Sequence, residues 1–364
     1  MKAKLPAKTS LQPESHILNN SVMLNLFQHL RKTKTRNLQK MKKITLVLFT
    51  LIAAALFISC GKKSNADANG CYNDIDDAVA AAEKNNQDIM VIITMENTDD
   101  NSEDFLNKVV RAPAFKKDIA SKYAVSLMDF SQATYESTVV KEDADEASKK
   151  AAEKKAEVLQ KNTKYAMKLN IEETPVIFIL SKEQYLITGL FYDDENRSLD
   201  GFKALLEEKS SSIDSMHKMI YQTKIGTSDE KVKAINDLYE ATSPNYRFML
   251  LDLLDSVKKL DPSDKNGLLG KSMYAAAEAR SANAAINGDV KASVQAFLDI
   301  ENEEAISAEL RQQGLYTAAY MCSVSGIEEP SIIVDYLERA VKLAPESDDA
   351  PAIRRVIQAL SVKE

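Results

Sequence analysis

Ile89-Met90-Val91-Ile92-Ile93 is an unbroken apolar run rich in branched side chains. Such a run predicts a strand buried on both faces, at the centre of an α/β sheet. Upstream, Asp74 is placed to cap a short helix that buries Ala78, Val79 and Ala82. Downstream, Glu96 to Asp104 is acidic, and a helix follows with Phe105, Val109 and Val110 facing inward. Pro113 breaks that helix, and Ala114 to Ala120 continue it at an angle. Tyr123 to Phe130 predicts a second strand. Residues 131–170 hold a polar insertion and a long Ala/Lys/Glu helix with Val158, Tyr165, Ala166 and Leu169 as its apolar stripe. Pro175 to Leu180 and Tyr185 to Phe191 predict two more strands, and Leu199, Phe202, Leu205 and Leu206 a closing helix. This order predicts a mixed sheet flanked by helices, over residues 71–212.

From 213 to 364 only the helical period remains. Val232, Ile235, Leu238 and Tyr239 share one face, as do Leu250, Leu253, Leu254 and Val257, and later Ile333, Leu337, Ala340 and Val341. Asp261-Pro262 and Pro330 punctuate between helices, and Gly288-Asp289 joins two of them. The fold class is therefore α/β plus all-α, the second part an antiparallel helical-hairpin array or an irregular bundle. The five-residue offset of Ala340 and Pro345 resembles the end of a tetratricopeptide repeat.

The N-terminus reads as processing, not fold. Met41-Lys42-Lys43 is a basic start, Ile44 to Ser59 an apolar run, and Cys60 follows. The run is short of the roughly twenty residues a helix needs to span a bilayer, and suits a signal h-region better than a retained anchor. Phe57-Ile58-Ser59-Cys60 resembles the lipobox of a bacterial lipoprotein signal, which implies lipidation of Cys60, membrane attachment through that lipid, and a place in the cell envelope at the inner or outer membrane. Residues 1–40 precede a signal complete in itself and are expected to lie upstream of the true start at Met41. Residues 60–70 are small and polar, a tether between lipid and body.

Removing residues 1–59 changes the charge. They hold ten Lys/Arg and one acid, so the remainder has 37 basic and 53 acidic residues, a net charge near −16. Such a surface repels nucleic acid and anionic headgroups, so a nucleic-acid partner is not expected. His217 is the one histidine beyond residue 59, which excludes a histidine-based triad or a multi-histidine zinc site.

Val109-Val110-Arg111-Ala112-Pro113-Ala114-Phe115 is similar to the segment that follows the redox helix of the thioredoxin-like superfamily. Tyr165-Ala166-Met167-Lys168-Leu169-Asn170-Ile171 with Thr174-Pro175 resembles the run before that family's cis-proline strand. The resemblance implies a thioredoxin-like fold, a cis peptide at Thr174-Pro175, and the two redox cysteines at Asp99 and Ser102. Neither position carries sulfur, and a carboxylate and a hydroxyl cannot form or exchange a disulfide. In the family the cis-proline loop receives extended peptide; a member without the dithiol either keeps that groove for a client or keeps the loop for the fold alone.

Other chemistry is sparse. Cys71 and Cys322 either bridge the two regions or are two buried thiols. Asn97, Asp99 and Asn101 alternate as calcium ligands do, but Ser102 and Lys108 stand where such a loop needs Gly and Glu. Helix capping by Asp100 or Asn101, with Glu103 and Asp104 at the positive end of the dipole, accounts for the same residues. The charged stretch Lys141–Lys161 is a docking element or a solvated face. No cofactor is expected, and no metal. The reading is a non-enzymatic envelope lipoprotein that binds or scaffolds another protein. The alternatives are a thiol-disulfide oxidoreductase or isomerase using Cys71 or Cys322, and a structural spacer.

Overall fold

The computed structural model describes residues 66–140, 144–193 and 196–361. The segments 1–40 and 41–59, Cys60, and the start of the 60–70 tether lie outside the described residues, as do 141–143 of the charged stretch.

The first layer is a five-stranded sheet in the order β1-β3-β2-β4-β5. The strands are β1 (Cys71–Tyr72), β2 (Asp88–Thr94), β3 (Tyr123–Asp129), β4 (Val176–Leu180) and β5 (Leu186–Phe191). β1 and β2 run parallel to β3, while β4 is antiparallel to both β2 and β5. The long hydrophobic run is the central strand because both of its faces are covered. Ile89, Val91 and Ile93 face α1 (Ile75–Asn85), with Ala78, Ala82 and Phe178 beside them. Met90 and Ile92 face the opposite cluster, with Phe105, Phe115 and Phe202.

Around the sheet lie α2 (Asp100–Phe105), α3 (Phe115–Asp118), α4 (Gln132–Glu136), α5 (Glu146–Lys168) and α6 (Leu199–Gln222). α2 runs on into a π-helical turn, Leu106–Val110, before the chain bends at Arg111. Leu106, Val109 and Val110, spaced i, i+3, i+4, all point into the core from this turn. The angled continuation is shorter than the pattern suggests, four residues from Phe115. Ile75, not Val79, completes the buried face of α1.

The second part is helical: α7 (Ser228–Ala241), a 3-10 stretch Pro244–Leu250, α8 (Leu251–Leu260), α9 (Leu269–Ile286), α10 (Val290–Leu298), α11 (Ala308–Ser325), α12 (Pro330–Leu343) and α13 (Ala350–Ser361). Each helix packs mainly on its chain neighbours. Thr227 and Glu230 form a capping box at the start of α7, and Asp289 and Ser307 cap α10 and α11.

The division between 212 and 213 falls inside α6. No Pro interrupts Leu199–Gln222, and its single glycine, Gly201, sits in the first turn, so one helix serves both parts. Leu199 and Phe202 join the sheet core, and Ile213 and Ile220 extend that same cluster to Leu238 and Leu250. His217 reaches from α6 to the start of β2, its Nε2 2.9 and 3.1 Å from the two carboxylate oxygens of Asp88. The Tyr185 hydroxyl donates to Asp252, and the Tyr246 hydroxyl to the Leu169 carbonyl at 3.1 Å. Residues 67–70, placed in the tether by sequence, instead form a turn on the body: Asp67 N–H donates to the Cys71 carbonyl at 2.8 Å, and its carboxylate accepts from Cys71 N–H. Among the described residues no helix is long and apolar enough to cross a membrane.

Candidate functional site

The end of β2 and the start of α2 place Asp99 and Ser102. Asp99 has extended backbone, φ −131° and ψ 119°, and is the residue before the first helical turn, so it caps the helix in place of Asp100 or Asn101. Its carboxylate accepts from Asn101 N–H at 3.4 Å and from Ser102 N–H at 3.0 Å. The Ser102 hydroxyl donates to the same Oδ2 at 2.7 Å and accepts from Met95 N–H at 3.0 Å, tying the helix back to the strand. Ser102 is fully buried.

The chain then brings in a segment far away in sequence. Thr174 Oγ1 donates to Asp99 Oδ2 at 3.1 Å, and the Thr174–Pro175 peptide is cis. All four residues singled out from the sequence, Asp99, Ser102, Thr174 and Pro175, therefore meet at one end of the sheet. Burial raises the Asp99 pKa, but the hydrogen bonds from Ser102, Thr174 and Asn101 outweigh it, and the carboxyl lies below its ordinary value of 3.8. An anion with three donors on one oxygen is a poor base, and a buried hydroxyl already donating and accepting is a poor nucleophile. The arrangement can hold two segments together. It has no group poised for bond making.

Tyr192, which the sequence reading does not name, and Glu96, Arg111 and Phe191, which it names without a role at the site, complete the surroundings. The Tyr192 hydroxyl donates to Asp104 at 2.7 Å, and its ring packs edge-on to Phe105 with centroids 5.1 Å apart. The hydrogen bonds from Lys108 and then Tyr192 hold the Asp104 carboxyl below its usual range. Glu96 pairs with Arg111 across the acidic segment. Phe191, directly opposite Val176 and so beside the cis-proline loop, is 58% exposed. Its position at the end of a strand with Leu190 buried was the available signal.

The cysteines stand apart. Both Cys71, in β1, and Cys322, in α11, are free and buried. Burial, with Asp67 adding, pushes the Cys71 thiol up to about 12; burial, with Glu328 adding, pushes Cys322 up to about 11. A thiol so raised is protonated at neutral pH and unreactive. Among the described residues no cluster of three or more His, Cys, Asp or Glu is arranged to hold a metal ion. Oδ2 of Asp99, the middle candidate of the alternating acidic segment, is aimed at Ser102 and Thr174.

A family model described as an uncharacterised protein C-terminal domain matches residues 268–364. No curated protein matches the chain. A solved structure described as DsbH Oxidoreductase is similar over 44% of this chain and 96% of its own, at 13% identity and a TM-score of 0.29.

Proposed function

We propose that this chain is a non-enzymatic lipoprotein of the bacterial cell envelope. It is anchored through lipid on Cys60 and binds an extended segment of a partner protein at the Thr174–Pro175 loop. The observation that carries the reading is the hydrogen-bonded set of Asp99, Ser102 and Thr174. It stabilises the loop with oxygen chemistry where a redox thioredoxin-like protein needs sulfur. Phe191 beside the loop offers an exposed apolar contact, the kind of anchor that peptide recognition uses. The helical part, read as tetratricopeptide-like, supplies a second surface for the same partner.

The test is insulin reduction with dithiothreitol as the electron source. No acceleration over the uncatalysed rate is expected. Turnover that disappears in Cys71→Ala or Cys322→Ala overturns the reading in favour of a thiol enzyme. Attachment is tested by mass spectrometry of the membrane-bound form: an acylated Cys60 at the N-terminus is expected, and an unmodified Cys60 inside a longer chain excludes the anchor.

A further inference from the structure

β1 pairs with β3 only at Cys71↔Val125 and Tyr72↔Ser126, so beyond Ser126 no strand covers that edge of β3. α4 and α5 close over it instead and leave a cavity of about 650 Å³. That size falls within the range of about 300–1,000 Å³ that small-molecule sites occupy. The cavity shares none of the residues Asp99, Ser102, Thr174 and Pro175.

Its wall is divided by chemistry. Leu127, Val158 and Leu159 line it with half-buried apolar side chains. Four carboxylates also line it, and all are engaged. Asp74 pairs with Lys161 at 3.3 Å, and Glu96 pairs with Arg111. Asp129 accepts from Glu96 N–H at 2.8 Å and from the hydroxyls of Ser131 and Thr134. Asp77 has a partner as well. Two cations remain. Lys154 and Lys155 line the cavity without a hydrogen bond or ion pair to any described residue. Each stands four positions before an apolar lining residue, Lys154 before Val158 and Lys155 before Leu159, so charge and apolar wall lie one helical turn apart. The uncommitted chemistry is an apolar slot with a cationic rim.

We propose that this cavity binds a single-chain alkyl carboxylate, its chain against Leu127, Val158 and Leu159 and its head at Lys154 and Lys155. Burial of the chain carries the affinity, about fourfold for each methylene taken from water. The solvent-exposed lysines add a modest attraction and set the preference for an anionic head.

The chain contains no Trp, so Thr138→Trp places a single indole at the cavity lining. The full chain with this substitution is titrated with ω-bromododecanoate, whose bromine quenches an indole it touches. Saturable quenching is expected. It weakens at least about tenfold in Lys154→Glu/Lys155→Glu, and ω-bromododecanol binds at least about fivefold less tightly than the acid. No saturable quenching, equal affinity for acid and alcohol, or an unchanged affinity in the double variant overturns the proposal. Circular dichroism checks the fold of each variant. Where Thr138→Trp disturbs it, calorimetric titration of dodecanoate into the unaltered chain and into the double variant makes the same comparison.

Discussion

Thr174 and Asp99, 75 positions apart in sequence, share a hydrogen bond of 3.1 Å that joins the cis-proline loop to the cap of α2. The same Oδ2 takes the Ser102 amide and hydroxyl, so one carboxylate oxygen joins a helix start to a loop, and the Ser102 hydroxyl it holds accepts from Met95 N–H just past the strand end.

Removing that carboxylate therefore costs both a cap and a tertiary link. Asp99→Ala is expected to lower unfolding free energy by about 2 kcal/mol and Asp99→Asn by about 1 kcal/mol. Urea denaturation at neutral pH measures both. A change below the error of the measurement in Asp99→Ala shows that the link is not formed.

The acid range gives a second reading of the same group. The folded pKa of Asp99 is depressed, so its stabilising effect is complete above the ordinary value of 3.8 and is lost as pH falls through the folded value. The stability difference between the unaltered chain and Asp99→Asn should hold steady from pH 7 to about 5 and shrink below about 4. A difference that grows on acidification contradicts the assignment.

Asp99→Cys/Ser102→Cys should create a working dithiol. The first sulfur takes the helix-cap position, where amide donors and the dipole lower a thiolate pKa, and the second takes the buried position one turn on. The variant is expected to form an intramolecular disulfide and to accelerate insulin reduction measurably, while the unaltered chain does neither. A double variant with two thiols that never oxidise to each other shows that the loop geometry is not the redox one.

Cys71 and Cys322 should be silent in the native state. With Cys60 replaced by Ser, a thiol-specific disulfide reagent at pH 8 should label the folded chain at least about tenfold more slowly than a free thiol, and label two thiols at once in denaturant. Rapid labelling of one thiol in the native chain shows an open site.

Two helical glycines should respond oppositely to alanine. A Cβ on Gly270 would meet the Ala305 carbonyl oxygen at 2.0 Å, a backbone atom that cannot step aside cheaply. Gly270→Ala is expected to destabilise by about 3 kcal/mol. A Cβ on Gly314 meets side chains alone, Ile300 at 3.4 Å and Phe297 at 3.6 Å, and Gly314→Ala should be neutral or stabilising by about 0.5 kcal/mol through helix propensity. Thermal or urea midpoints of the two variants decide it.

The sheet was legible because its strands carry strong local signals: branched runs at Ile89–Ile93 and Val176–Leu180, and turn residues between them. The π-helical turn at Leu106–Val110 was not, since its period is neither that of an α-helix nor that of a strand. Of the site, the meeting of Asp99 with Thr174 needed the family resemblance, because no local pattern joins residues 75 apart. The cap is Asp99, not Asp100 or Asn101, as all three are good acceptors and backbone geometry chose among them. α9 and α11 are buried nearly all round and lined with Ala, Ser and Gly, so they show no amphipathic stripe for a sequence reading to find. The open edge of β3 left no mark in sequence either, since it follows from how soon β1 ends.

α6 gives the molecule its mechanical character. A single unbroken rod is anchored at one end by Phe202 among the strands and at the other by Ile220 among the later helices. There is no swivel where the sheet half meets the helical half. Cutting the chain at residue 212 would bisect the rod and divide the interior that Phe202, Ile213, Ile220, Leu238 and Leu250 share. A pull on the strands is carried along that rod to the helices packed at its far end.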